Sequence, residues 1–588
     1  MIKRFDRSAL LAELFRPVNI LPLVYFRVVF GGIMVWEVWR YFHYDRVYRY
    51  YIEPTFTLPY AGFEWVQPLP GDGMIWLFYG LGVLAGCLVV GLLYRVSAVL
   101  FFLGFTYVFL LDQAQYLNHF YLISLLSFIL IFLPAHRAWS LDALLQPGLR
   151  ARTAPLWTLG WLRFQIAVPY VFGGIAKLNA DWLQGEPMRL WLAARTDFPV
   201  IGSWFTSEAA VYAFSYGGLL FDLLVIPLLL WRRTRWIALV LAAGFHLMNA
   251  ALFNIGIFPW LMLAAMPVFL PAAWLRWPFA PSRPAEIPVR WRPSAVIVGL
   301  LAVYSAVQIM VPLRHFTYPT EVSWSEDGHT FAWHMKLRAK DGDARFFAHD
   351  PQTGALWEVD AAAHLTPRQH HQMSTDPDML HSFARHLSQT LTPPDADPVA
   401  IHVWAMVSLN GRPPQLMIDP SVDLARQPHR FGPNAWVLPL AQPLGAPAQP
   451  TLLMLRRAPY LALINVGTTP IATADLMVSA GHTIREAALA PGDCAIWSAA
   501  NTSLPIIPCN ALQMTVVDVL PNPARLAAQC AHAVCVVNTP PAANPLARQN
   551  AERERVGIGG GAQHALIYHP GDAFDLEPAL PERIPGGH

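Results

Sequence analysis

The sequence predicts a polytopic α-helical membrane domain, of eight or nine transmembrane helices, followed by an exported β-rich domain. Three observations predict it. The 588-residue chain is 55% hydrophobic and only 14% charged, against about 25% charged in ordinary soluble domains. The apolar excess is concentrated between residues 18 and 313, in segments near the ~20 residues that a span needs. Beyond Phe316, short β-prone runs alternate with Asp, Gly and Pro turns.

The apolar segments run over residues 19–38, 74–93, 96–112, 119–134, 159–177, 211–231, 235–253, 255–271 and 294–313. The eighth is short and fits a tilted span or a re-entrant piece, hence eight or nine crossings. Arginine and lysine favour alternate loops. Lys3, Arg4, Arg7 and Arg16 precede the first segment, and Arg95, the group Arg137, Arg150 and Arg152, the group Arg232, Arg233 and Arg235, and the group Arg276, Arg283, Arg290 and Arg292 follow on one side. The other side holds only Arg40, Arg46, Arg49, Arg189 and Arg195. Positive residues stay cytoplasmic, so the N-terminus is expected inside and the C-terminal domain outside. Met1–Arg7 is basic but precedes no short apolar region with a small-residue cleavage site, so the first segment is expected to remain as a span.

Residues 1–313 are therefore read as the membrane domain, 314–445 as an exported β-rich or α+β domain, 446–540 as a second exported β domain of sandwich or barrel type, and 541–588 as a Pro/Gly-rich tail. Thr330–Met335, Ile401–Leu409 and Leu461–Val466 read as strands. Pro367–Leu391 reads as helix in two pieces because of Pro377. Cys494, Cys509, Cys530 and Cys535 permit two disulfides in an oxidising compartment, and Asn501-Thr-Ser is a glycosylation sequon. A net charge of +2, without basic clusters interleaved with aromatics, gives no argument for a nucleic-acid partner, and none is expected. Membrane lipids are the expected surroundings, and the Ala- and Arg-rich composition points to a bacterial inner membrane.

Several polar residues fall at one depth, on the side of the exported domain. Lys177 ends the fifth segment, Asn118 and His119 open the fourth, Asp112 closes the third, and His246 and Asn249 lie in the outward half of the seventh, with Asp222 near the middle of the sixth. An ionisable residue inside a span costs about 2.5–3.5 kcal/mol on insertion scales and usually lines a cavity. Lys177 is a candidate base, because burial disfavours a charged ammonium. Each residue also has a plainer reading. Lys177 can snorkel to the headgroups, His246 can be a satisfied interior histidine, Asp222 can bond a neighbouring helix, and Gly173-Gly174 and Gly217-Gly218 can serve close helix packing. Adjacent histidines such as His370 and His371 point apart on a helix, and no cysteine pair has zinc-site spacing, so no metal is expected.

With these residues the sequence resembles the vitamin K-dependent γ-glutamyl carboxylases, membrane enzymes of animals with bacterial relatives. The matching stretches are Leu92–Phe101, Tyr107–Asp112, Asn118–Leu122, Trp139–Asp142, Gly174–Trp182, Gly217–Asp222, Phe245–Asn249 and Leu252–Phe258. In the exported part, Phe331–Met335, Val403–Asn410 and Ile418–Asp423 are similar. The likeness spans about residues 20–445 and is weaker over 450–520.

The resemblance implies conversion of protein glutamate to γ-carboxyglutamate, a carbon–carbon lyase type of reaction. Vitamin K hydroquinone would be oxidised to the epoxide, with O2 and CO2 consumed. The partners it implies are a glutamate-containing protein or peptide and a lipid quinone. Lys177 falls on the family's catalytic lysine, His119, beside Asn118, on a histidine implicated in carboxylation, and His246 on a further functional histidine. Met335 falls in a quinone-facing region, and Phe258 and Asn249 are placed with it as cofactor-binding candidates. Leu58 and His386 stand where the animal enzymes carry the cysteines of an interdomain disulfide. Ala176 replaces a second lysine and Asn179 an aspartate. Two other readings remain at this point: a quinone epoxidase with little carboxylation, and a non-enzymatic membrane protein that retains the fold. Against the latter, a membrane protein without chemistry has little reason to keep an uncompensated lysine at such depth.

Overall fold

A computed structural model describes residues 7–253, 255–275, 293–428, 432–441 and 443–445, together with the backbone of five strands between 452 and 538. The chain divides into two compact units. Among the described residues, one takes those up to His315 and Gly328–Leu337, and the other takes Phe316–Asp327 and those from Arg338 onward.

In the first unit a helix stands at each of the nine apolar segments: α1 (Leu21–His43), α2 (Gly73–Val90), α3 (Tyr94–Leu110), α4 (Asn118–Phe132), α5 (Leu156–Ala176), α6 (Glu208–Leu230), α7 (Arg235–Leu252), α8 (Phe258–Ala265) and α9 (Ala295–Leu313). Among the described residues, α1, α2, α6, α7 and α9 are long and apolar enough to cross a membrane by themselves. The helices α3, α4 and the run from α8 to Phe269 are shorter. At about 1.5 Å per residue the last falls short of a ~30 Å hydrocarbon core.

The helix ends are set locally. Ser207 caps α6 by accepting from the Ala210 N–H, and Ser294 caps α9 by accepting from Ile297. Asp142 accepts from the N–H groups of both Leu93 and Tyr94 at 2.8 and 2.9 Å. The Trp139–Asp142 stretch therefore serves to cap α3. Gly91 ends α2 in the left-handed region at φ 65°, and the Arg27 guanidinium lies against it so closely that any Cβ would clash. α1 packs on α2, α5 on α6, and α6 on α7. Tyr304 of α9 donates to the Gln165 side chain of α5 at 2.7 Å, which satisfies a polar group between two spans. Gly174 packs directly on Leu223 of α6, as close helix packing requires, whereas Gly217 faces open space and serves no such contact.

Thr330–Met335 is not a strand. It belongs to the first unit and turns repeatedly, with Phe331, Trp333 and Lys336 all in the left-handed region at φ 65°, 63° and 49°. Bulky residues adopt that conformation only when their surroundings impose it. Here Trp333 is fully buried, the Phe331 N–H donates to Tyr116 Oη at 2.9 Å, and the Arg314 guanidinium donates to the Thr330 carbonyl.

In the second unit, β1 (Lys340–His349), β2 (Leu356–Val359), β3 (Ala400–Leu409) and β4 (Gln415–Leu416) form an antiparallel sheet in the order β2-β1-β3-β4. Strand β3 buries Ile401, Val403, Ala405, Val407 and Leu409 in alternation. Helix α11 (Pro377–Leu391), which follows α10 (Pro367–Met373), packs on it through Leu380, Phe383, Ala384 and Leu387. The two-piece helix thus arises because Pro377 starts α11, where its missing N–H costs nothing. A further sheet joins β5 (Leu452–Arg457), β6 (Tyr460–Asn465), β7 (Asp493–Ser498), β8 (Ile507–Pro508) and β9 (Val534–Asn538) in the order β8-β7-β6-β5-β9, with β5 and β9 parallel. The side chains of the four late cysteines, the Asn501 sequon and the 541–588 tail lie outside the described residues.

Candidate functional site

The site is built where the fifth and sixth helices meet. Helix α5 ends at Ala176, and Lys177 follows as its C-cap. Asn179 then opens a short helix, Ala180–Leu183, by accepting from the Trp182 N–H at 2.9 Å while donating to the Ala176 carbonyl at 2.8 Å. Lys177 is buried just before this turn. Its Nζ turns back along α5 and donates to Asp222 Oδ2 of α6 at 2.7 Å and to the Gly173 carbonyl at 3.3 Å. The Trp182 ring lies 5.2 Å from Nζ, and its own indole N–H is held by the Ser215 carbonyl. Lys177 is 6% exposed and Asp222 4%.

The lysine is therefore neither a snorkelling residue nor an uncompensated one, which corrects the expectation drawn from its sequence position. A buried ammonium needs a counter-charge, and the carboxylate one helix away supplies it.

Most of the other residues singled out in the sequence are linked to this pair through side-chain contacts and chain neighbours. A Cβ built on Gly173 would lie 3.3 Å from Met335 Cε and 3.5 Å from Asp222 Oδ2. A larger residue at 173 would require Met335 Cε to give by a few tenths of an ångström. His334, before Met335, offers its carbonyl to Asn118 Nδ2 at 3.4 Å, and Asn118 Oδ1 accepts from Tyr116 Oη at 3.2 Å. His119 follows, buried, with its ring 5.9 Å from that of Phe258. Phe258 in turn faces His246 at 6.3 Å. His246 Nε2 is 2.6 Å from the Tyr170 hydroxyl, and its ring meets that of Phe221, the residue before Asp222. Lys177, Met335, Asn118, His119, Phe258 and His246 thus lie in one neighbourhood of the first unit.

Asn249 is half-buried beyond His246, and among the described residues its side chain bonds none of them. Its carbonyl accepts from Phe253 at the end of α7. Asp112 caps the turn before α4 by accepting from Ala114.

His119 and Arg40 both lie close to Gly256. A Cβ built on Gly256, at φ 59°, would lie 3.7 Å from His119 Nε2 and 3.5 Å from an Arg40 guanidinium nitrogen, and Arg40 is paired with buried Glu37 at 2.9 Å. Sequence reasoning missed this arginine, Tyr170 and Lys336. The Lys336 Nζ rests 5.2 Å from the Trp191 ring and 5.5 Å from that of Phe253, where burial pushes its ammonium down to about 8. Among the described residues no group of three or more His, Cys, Asp or Glu side chains is placed to hold a metal.

The surroundings of the pair combine aromatic rings, a thioether and a few buried polar groups, the composition of a site for a largely apolar small molecule. A buried amine–carboxylate pair facing it can move a proton.

Two comparisons bear on the chain. The HTTM domain family matches residues 15–274, and the family of the vitamin K-dependent gamma-carboxylase lumenal domain matches residues 293–443. No solved structure matches the chain.

Proposed function

The chain belongs to the vitamin K-dependent gamma-carboxylase family, and from that premise we propose that it carboxylates protein-bound glutamate at the γ carbon, with vitamin K hydroquinone, O2 and CO2 as co-substrates. The observation that carries this reading is the buried Lys177–Asp222 pair beside the Gly173–Met335 contact. Gly173 lies in the first matched domain and Met335 in the second.

The residues fit a quinone of this kind. Met335, Phe258 and Phe221 would hold its apolar ring beside Gly173. When bound, the hydroquinone supplies, through its oxidation, a base strong enough for the γ C–H of glutamate, which no side chain here could ionise. Lys177 Nζ takes up the proton that starts the process. The rings and the thioether keep water from the site, which protects a strong base from quenching. His119, beside the Arg40 guanidinium, orients the glutamate carboxyl or the carbanion through its imidazole. Asn118 fixes the Phe331–Met335 stretch over α5.

The arginine asymmetry of the loops supports a cytoplasmic N-terminus, eight or nine crossings and an exported C-terminal domain, with the site toward the outer face. A site so placed would be within reach both of a lipid quinone and of exported protein.

The test is incubation of the purified full chain with a glutamyl peptide, vitamin K hydroquinone, bicarbonate and O2. The expected result is a peptide heavier by one CO2, together with quinone epoxide. Epoxide without carboxylated peptide would favour a quinone epoxidase, and neither product would leave only a retained fold.

A further inference from the structure

We propose that the group accepting the first proton is the Lys177–Asp222 pair rather than the lysine amine alone, with the Asp222 carboxylate as the final acceptor. The inference rests on the functional reading above and deepens it. Lys177 Nζ donates to Asp222 Oδ2 at 2.7 Å and to the Gly173 carbonyl at 3.3 Å, and both side chains are buried. Two of its three possible donor directions are thus committed inside the protein. An ammonium held in this way has no lone pair to offer.

The pair shares one proton between nitrogen and oxygen, and the next proton it accepts completes an ammonium beside a carboxylic acid. Lys177 passes a proton to Asp222 Oδ2 and takes one from the hydroquinone hydroxyl. One O–H bond breaks on the hydroquinone, one forms on Asp222, and no electrons are transferred in the step. The acid proton leaves to bulk water when the products leave.

Charge accounting favours this route. A lone neutral amine that deprotonates a neutral hydroquinone must create two charges in a buried site, where desolvation makes each of them costly. The pair already holds one positive and one negative charge. Its ammonium exchanges a carboxylate partner for a hydroquinone oxyanion, and the number of charges does not change. Asp222 thus acts through Lys177, and Asp222 Oδ2 and Met335 Cε both lie beside Gly173 of α5.

The two routes differ in what Asp222→Asn does. If the amine acts alone, removing the carboxylate frees it and epoxidation persists or rises at lower pH. If the pair acts, Asp222→Asn loses about 100- to 10,000-fold in epoxidation, the usual contribution of a proton-transfer group, and Asp222→Glu restores part of it. A second readout needs no turnover. Under anaerobic conditions vitamin K hydroquinone is added to the purified full chain. Ultraviolet absorbance then reports the hydroquinone anion, and infrared difference spectra report the carbonyl stretch of a protonated carboxyl group. The wild type is expected to show both signals and Asp222→Asn neither.

Wild-type anion absorbance without the protonated-carboxyl band overturns the pair, as does undiminished epoxidation by Asp222→Asn. Should Asp222→Asn fail to fold, the wild-type infrared measurement alone decides. A wild-type protein that makes no epoxide at all overturns the functional reading itself, a different outcome from failure of the pair.

Discussion

The hydroxyl of Tyr170 on α5 lies 2.6 Å from Nε2 of His246 on α7, and the histidine is 1% exposed. The bond ties together two helices that also flank α6, the helix that carries Asp222. Tyr170→Phe removes the partner of a buried ring nitrogen and is expected to lower stability by about 1–3 kcal/mol, the cost of leaving such a group unsatisfied. Thermal unfolding of the detergent-solubilised variant checks this. An unchanged midpoint would show that the bond contributes nothing.

Lys177→Ala should abolish epoxidation and carboxylation together, since both follow from one proton uptake. Its effect on folding follows from the ion pair. Read from the sequence, removing an amine from an apolar boundary relieves desolvation. In the structure it strands the Asp222 carboxylate, and breaking a buried pair costs about 3–5 kcal/mol. Lys177→Ala/Asp222→Ala should recover part of that loss without recovering activity. Lys177→Arg should not restore turnover, because a guanidinium stays protonated. Thermal unfolding and epoxide assays on the three variants separate stability from chemistry. Equal stability of Lys177→Ala and wild type would count against the pair.

The contrast shows what the sequence can carry. The nine apolar segments coincide with nine helices because hydropathy and helix length report the same burial. Lys177, His119 and His246 stand out because polar groups are costly where they sit. Their pairings are another matter. Lys177 and Asp222 are 45 positions apart, and which face of α6 meets α5 is settled by packing such as Gly174 on Leu223. The opposite charges on successive spans were the one available signal for the pair. Thr330–Met335 misleads for a related reason. Its β-prone composition is overridden by Tyr116, Arg314 and the pocket around Trp333, which hold it in left-handed turns.

His119→Ala should impair carboxylation more than epoxidation. The imidazole contacts Phe258 and lies beside the Arg40 position at Gly256, away from the Lys177 amine's own hydrogen bonds. Removing one such oriented group costs about 100- to 1,000-fold in comparable sites. The ratio of carboxylated peptide to epoxide is the readout. An equal fall in both products would make His119 a structural or quinone-holding residue.

A reporter active only in the cytoplasm, fused after Leu313, should be silent, since the arginine asymmetry of the loops predicts that the end of α9 faces outside. Full reporter activity would overturn the topology and move the site to the inner face.

In the proposed reaction this chain joins CO2 to the γ carbon of glutamate through chemistry started at Lys177. The most direct measurement is incorporation of isotopically labelled bicarbonate into a glutamyl peptide by the purified chain, with vitamin K hydroquinone and O2, followed by fragment mass spectrometry. The account predicts label in a second γ-carboxyl group, dependent on the hydroquinone and absent with Lys177→Ala. Hydroquinone oxidation with no label in the peptide, or labelling that survives Lys177→Ala, would contradict it.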